Sequence, residues 1–235
     1  MDPGMTSRIK IKTGALRFDA LLSGGIAMGE LTLFYGEPGS GKTTLAIDTA
    51  AHLLLSDPAA RIIYIDSDSK FTPIRLTQMT GSKETLKRLI YAHPTTFEEQ
   101  AQALDRVPED IQKGDLICVD SITGLYRVET GEARKTFMEN KELNRQLGFL
   151  KETAITSGAA IIVTGQVRSV LNSPVPAVEP VAQRLILFWS DKVIHLENTM
   201  VQSVKQANIE KPRGLGGATR FKIVESGLLE EDRWR

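Results

Sequence analysis

Cysteine is almost missing from this sequence: Cys118 is the single one in 235 residues. One thiol excludes an internal disulfide framework and suits a reducing compartment, so a cytoplasmic setting is expected. Its position inside the apolar run LICVD predicts a buried strand residue. Histidine is nearly as scarce. His52, His93 and His195 stand far apart with no partner at ligand spacing, which argues against a zinc site. Aromatic residues make up only 6% of the chain, and with Tyr126 and Phe137 the only rings near the basic residues that follow DLICVD, no base-stacking platform is evident there. No apolar run reaches the roughly eighteen residues of a membrane span, and no signal-peptide core is visible, so no membrane partner is expected. Neither sign of charge is in excess. Lys+Arg and Asp+Glu each total 29, so any contact with nucleic acid must rest on a local basic patch.

What is present is a regular alternation of apolar runs and amphipathic stretches. The length fits one α/β domain with a substantial core, and 41% apolar and 25% charged residues are ordinary for such a domain. LTLFY, RIIYID, LIYAH, DLICVD and AAIIVTGQ read as strands. Helices are expected from Lys42 to about Leu55, over FTPIRLTQM, over TTFEEQAQALDRV with Thr95 as its cap, and from about Glu132 to Ser157. DKVIHLE, VQSVKQA and ATRFKIVE follow as closely connected, largely antiparallel strands. This order predicts an α/β fold: a mainly parallel sheet with helices on both faces and an antiparallel C-terminal edge. MDPGM reads as a disordered or tag-like start, with Met5 a possible natural first residue. Residues 1–13 are expected as a lead-in and 14–235 as one domain.

GEPGSGKT, Gly36 to Thr43, matches the phosphate-loop pattern G-x-x-x-x-G-K-[ST] between an expected strand and an expected helix. Glycines at Gly36, Gly39 and Gly41, with Glu37, Pro38 and Ser40 between them, let backbone N–H groups curl around a phosphate at a helix N-terminus. Lys42 would reach the β/γ-phosphates of ATP, Thr43 would ligate Mg²⁺, and Thr44 follows within the nucleotide contact. The ion also needs an acidic residue at a strand end, and Asp120, closing DLICVD, is the best candidate.

IIYIDSDSKF, Ile62 to Phe71, raises a competing reading, because an apolar run entering D-x-D is how haloacid-dehalogenase phosphatases present a nucleophile. That chemistry wants a second acidic pair, and Asp115 with Asp120 offers one only on paper. Five residues of strand span roughly 16 Å at ~3.3 Å per residue, so the two cannot share an ion. A calcium loop fails as well, since Phe71 stands where it needs glycine and Thr77 where it needs glutamate. Asp66 and Asp68 are therefore expected at the carboxyl edge of a strand in an ATPase sheet.

With these residues in place, GALRFDALLSGGIAMGELTLFYGEPGSGKTTLA resembles the opening of RecA-superfamily ATPases. DSITGLYR is similar to the segment closing the Walker B strand of archaeal and eukaryotic recombinases, and IIVTGQV to their strand ending in Asn-Gln-Val. EPVAQRLILFWSDKVIHLE looks most like the archaeal RadB branch, short paralogues of the RadA recombinase without its N-terminal DNA-binding domain. The resemblance implies a RecA-like P-loop ATPase core. It further implies that Asp68, where the family has glutamate, orients the attacking water, that Gln166 senses the γ-phosphate, and that Arg75 lies against the adenine. Asp68 is shorter by one methylene, and Thr164-Gly165 departs from the pattern before Gln166. A carboxylate drawn back by about 1.5 Å positions water poorly, so slow hydrolysis is expected.

In such recombinases two loops face DNA. Here the first carries Arg127, Arg134 and Lys135 near Tyr126 and Phe137, and the second carries Arg168 and Arg184. A richer basic stretch holds Lys205, Lys211, Arg213, Arg220 and Lys222, with Lys211 and Arg213 in IEKPRG the favoured contacts to DNA or to a neighbouring subunit's nucleotide. The resemblance thus implies an ATP- and DNA-binding accessory protein of recombination and repair. Its expected partners are the main recombinase, other recombination proteins and a second copy of itself. A strand-exchange recombinase is one alternative. A KaiC-like signalling ATPase is another, similar over SGGIAMGELTLFYGEPGSGKT but not over DSITGLYR.

Overall fold

The computed structural model of the chain describes residues 9–107, 111–126, 133–170, 178–212, 217–224 and 227–230. Short strands β1 (Lys10–Ile11) and β2 (Ile26–Ala27) pair antiparallel around α1 (Leu16–Leu21). Ile11 and Thr13, assigned from sequence to the lead-in, are buried in this unit. The chain continues through β3 (Leu31–Gly36), α2 (Lys42–Ser56), β4 (Ile62–Asp66), α3 (Pro73–Thr80), a 3₁₀ turn (Lys83–Arg88) and β5 (Leu89–Ala92). Next come α4 (Phe97–Asp105), β6 (Leu116–Asp120), α5 (Ala133–Ser157), β7 (Ala160–Gly165), and the small hairpin of β8 (Val167–Ser169) and β9 (Val178–Pro180). Helix α6 (Gln183–Trp189) leads into β10 (Lys192–Asn198), β11 (Val204–Lys211), β12 (Ala218–Val224) and β13 (Gly227–Glu230).

Among the described residues, nine strands form the central sheet in the order β13-β12-β11-β10-β3-β7-β6-β4-β5. The six from β10 to β5 are parallel, and β11, β12 and β13 add an antiparallel edge. One detail differs from the sequence expectation. β10 is parallel to β3, with His195 opposite Tyr35, and antiparallel only to β11, so the change of direction lies one strand later.

Strands β3, β4, β6 and β7 are buried along their whole length because helices cover both faces. On one face α1, α2 and α3 pack Phe18, Leu45, Ala46 and Leu76 against Phe34, Ile62, Tyr64 and Cys118. On the other, α4, α5 and α6 pack Leu104, Leu143, Leu147 and Ile186 against Leu33, Ile65, Ile117 and Val163. Each fully buried Leu, Ile or Val contributes about 1.5–3 kcal/mol, so the two layers hold the sheet's edge in a fixed register. The cap of α4 is Thr96 rather than Thr95. Thr96 Oγ1 accepts from the Glu99 N–H, while the Glu99 carboxylate reaches back to the N–H and hydroxyl of Thr95.

Asp115 and Asp120 lie at opposite ends of β6, as their spacing requires. Asp115 accepts from the Arg61 N–H at 2.9 Å and from its guanidinium at 2.8 Å, far from the opposite edge. No helix among the described residues is long and apolar enough to cross a membrane.

Candidate nucleotide site

Parallel strands bring their carboxyl ends to one edge, where Gly36, Asp66, Asp120 and Gly165 stand in adjacent strands. The register sets Asp66 directly opposite Asp120. The loops leaving these strands therefore meet above the sheet, which is where open α/β folds bind ligands.

The first loop is Gly36 to Thr43. Gly41 caps α2 with φ +99° and no side-chain hydrogen bond, leaving the first N–H groups of the helix facing outward. A Cβ at Gly41 would fall 2.9 Å from Ile223 Cδ1, so the loop is closely packed by β12. Glu37, Pro38 and Gly39 are exposed, Ser40 is buried, and Thr43 and Thr44 are half-buried. Lys42 curls over the loop and donates to the Gly36 carbonyl at 2.7 Å and the Glu37 carbonyl at 2.9 Å. Burial, and then the nearby charge of Lys70, lower its pKa from 10.5 to about 8.

Asp120 is almost fully buried. It accepts from Tyr64 OH at 3.0 Å, from the Thr164 hydroxyl at 2.5 Å and from the Thr43 hydroxyl. Burial raises its pKa, and these three bonds oppose the rise. A strand-end carboxylate bonded to the phosphate-loop threonine is the donor set that Mg²⁺ requires, so the residues fit a magnesium nucleotide.

Asp68 sits beside them. Its Oδ1 accepts from Ser121 Oγ at 3.0 Å and Gln166 Nε2 at 3.2 Å, and its Oδ2 accepts from Lys70 Nζ at 2.8 Å. The backbone N–H groups of Ser67 and Asp68 donate to the Asp120 carbonyl at 2.7 and 3.1 Å, fixing one loop to the other. Gln166 is held in turn by its N–H to Thr123 Oγ1 at 3.0 Å. Gly124 leaves the carboxylate its space, since a Cβ there would lie 2.2 Å from Asp68 Oδ1. The Asp120–Ser121 peptide within this cluster is cis. Beneath it runs a buried polar chain from Ser67 Oγ through Gln100 to Gln146 and the Ile122 carbonyl. Asp66 turns away and accepts from the N–H groups of Lys70 and Phe71 and from Tyr91 OH, which makes it the brace of the loop.

Arg75 stands on the first turn of α3, donating to the Val224 carbonyl at 2.5 Å. Its charge also reaches Asp48 on α2, a buried carboxylate that accepts from the Leu228 N–H at 3.2 Å. Burial raises the Asp48 pKa from 3.8 to about 6, against the opposing effects of His52, the Leu228 N–H and Arg75.

The basic candidates are scattered. Arg168 pairs with Glu179 at 2.8 Å across the β8–β9 hairpin, beside an open cleft of about 490 Å³ that also includes Tyr126, Asn140 and Arg184. Arg134 and Lys135 fall in the first turn of α5, where only the backbone is described, and Arg127 and Arg213 lie outside the described residues. Lys211 donates inward to the Leu187 carbonyl at 3.0 Å and to the Ser190 carbonyl, closing the end of α6. Lys205 bonds to Asn198 Oδ1 and Arg220 to Gln206 Oε1 within the edge strands.

The structure thus joins Asp68 to Gln166 and Thr43 to Asp120, with Lys42 close by, but gathers no comparable cluster from the described basic residues. Sequence reading passed over Tyr64, Lys70, Ser121, Thr123 and Gly124, and treated Thr164 as a mere departure. The run DSITG, in which Ser121, Thr123 and Gly124 follow the buried strand that Asp120 closes, was the available signal for three of them.

The model of the Rad51 family matches residues 5–227. A DNA repair and recombination protein RadB of Methanococcus maripaludis (strain C5) is 34% identical over 218 residues, covering 89% of this chain and 95% of the relative. The protein of that name from Thermococcus onnurineus is 35% identical over 226 residues, covering 93% and 96%. A solved structure, titled the crystal structure of the RadB recombinase, matches with a TM-score of 0.77 at 30% identity. It covers 94% of this chain and 99% of the other. With matches spanning nearly the whole chain in sequence and in fold, this protein belongs to the Rad51 family, in its RadB branch.

Proposed function

We propose that the chain is an ATP-binding, DNA-binding accessory protein of homologous recombination and DNA repair that hydrolyses ATP slowly. One observation carries the ATPase reading. The Asp68 carboxylate is held by Ser121 and Gln166 immediately beside the loop of Lys42 and the Thr43–Asp120 pair. Lys42 and the outward N–H groups of α2 would take the β/γ-phosphates, and Thr43 and Asp120 would hold Mg²⁺, which supplies charge neutralisation at the phosphates. Asp68 would orient the attacking water, while Gln166 links that carboxylate to the β7–β8 connection and so to the cleft at Arg168. Arg75 is the candidate contact for the adenine.

The short reach of Asp68 supports slow turnover, because misplacement on the ångström scale costs around 10²-fold. For DNA, Arg127, Arg134, Lys135 and Arg168 form one proposed contact set, and Lys211 with Arg213 another. The names carried by the relatives support a role in DNA repair and recombination. The main recombinase as partner and a cytoplasmic setting belong to the proposal.

ATP turnover with and without single-stranded DNA, against a Lys42→Ala control, tests the reading. Stimulation by DNA that disappears in the control is the expected result. Turnover indifferent to DNA, or unchanged in the control, would overturn it.

A further inference from the structure

Lys70 belongs to no motif, yet its placement is among the most constrained at the site. Its N–H donates to Asp66 Oδ1 at 3.1 Å, and the next N–H, of Phe71, donates to Asp66 Oδ2 at 3.0 Å. Ser69 before it has φ +56°, and Ser69 Oγ lies 2.7 Å from His93 Nε2. Asp66 itself is fixed by Tyr91 OH at 3.2 Å. This braced turn delivers the Lys70 ammonium to Asp68 Oδ2 at 2.8 Å, on the oxygen opposite the one held by Ser121 and Gln166.

The burial of the two partners is unequal. The Lys70 side chain is 50% exposed and that of Asp68 is 6% exposed, so the lysine covers the carboxylate from the open side. Lys70 is also near enough to Lys42 for the two ammonium charges to oppose each other. Two cations that repel across an open site, one of them in a half-exposed pair worth little by itself, are arranged to share an incoming polyanion.

We propose that Lys70 is a second phosphate-binding cation, supplied in cis, that recognises the terminal phosphate of a nucleoside triphosphate. Without a triphosphate it neutralises Asp68. When a terminal phosphate lies between it and Lys42, the ammonium transfers to the phosphate oxygens and leaves Asp68 Oδ2 free to accept from water. A diphosphate ends short of Lys70 and leaves the pair closed. The inference rests on the nucleotide-binding reading and adds a selectivity to it: preference for triphosphate over diphosphate set by one lysine.

The test measures dissociation constants for ADP and for a non-hydrolysable ATP analogue with Mg²⁺, in the wild-type chain, Lys70→Met and Lys70→Arg. Loss of one charge-assisted contact should weaken the analogue by about tenfold in Lys70→Met and leave ADP within about twofold. Lys70→Arg, which keeps the charge, should retain most of the preference. Lys70→Arg keeps a cation on Asp68 and should leave the melting temperature unchanged, whereas Lys70→Met removes the cation from a carboxylate that is 6% exposed, so all constants are measured well below the melting temperature of each variant. An unchanged ratio of the two constants in Lys70→Met, or equal weakening of both nucleotides, would overturn the role of Lys70 alone. Failure of the wild-type chain to bind either nucleotide would overturn the nucleotide reading itself.

Discussion

Replacing Gly124 by alanine would set a Cβ 2.2 Å from Asp68 Oδ1 and 2.8 Å from Ser121 Oγ. Non-bonded carbon and oxygen atoms do not rest closer than about 3.2 Å, so the carboxylate must retreat by about 1 Å. The turn itself is poorly placed to yield. The Ile122 N–H is bonded to the Thr164 carbonyl at 3.0 Å, and the Ile122 carbonyl accepts from Gln100 Nε2 at 3.2 Å. Gly124 is also absent from the positive-φ positions, so alanine brings no backbone strain of its own. What gives way is the side chain that the site needs. A displacement near 1 Å in a water-orienting group costs about 10²-fold in rate. Phosphate release under saturating Mg²⁺-ATP should therefore fall by about that factor, while ATP affinity stays within about threefold because the phosphate loop is untouched. Overpacking should cost about 1–3 kcal/mol in stability, read from chemical denaturation. Turnover within twofold of wild type would refute the reasoning, since Asp68 would then move without consequence.

Asp68→Glu restores the longer carboxylate and should raise turnover by about tenfold or more with little change in ATP affinity; an unchanged rate would show that reach is not what limits hydrolysis. Asp48 gives a pH test. Burial raises its pKa in the folded state to about 6 from 3.8, so the folded protein holds this proton more tightly than the unfolded chain. The stability it contributes is complete below pH 3.8 and is lost as the pH rises through about 6. Asp48→Asn should accordingly stabilise the protein at pH 8 by about 1–3 kcal/mol, at ~1.36 kcal/mol per unit, and by far less at pH 4. A melting-temperature difference that does not vary with pH would contradict this.

The layered α/β fold was legible because four strands are buried on both faces and therefore appear as continuous apolar runs. The phosphate loop was legible because its chemistry is contiguous, from Gly36 to Thr43. Asp120 could be placed by its position at a strand end, but not its partners, since Tyr64 and Thr164 reach it from neighbouring strands. Thr164 looked like a departure from a pattern and proves to be a donor to the buried carboxylate, a role visible only once β6 and β7 are side by side. Lys211 shows a second limit of the sequence, the direction of a long side chain. As a charge in a basic stretch it suggested an outward contact, whereas its stem carries the ammonium back to the carbonyls that end α6. Counting charges along a chain does not say which way a long side chain folds. The one-residue shift from Thr95 to Thr96 has a similar source, since either threonine satisfies the local capping pattern and both in fact bond to Glu99.

Ile223 closing on Gly41 makes the phosphate loop a joint product of both ends of the chain. β12 is held by β11 on one side and β13 on the other, and Leu228 of β13 fastens to Asp48 one helix turn beyond the loop. A fragment that stopped before Phe221 would keep every letter of the nucleotide signature and lose the wall behind it. Protease cleavage along this edge, or an insertion in it, would then register first as nucleotide escaping from a motif whose own residues were never touched.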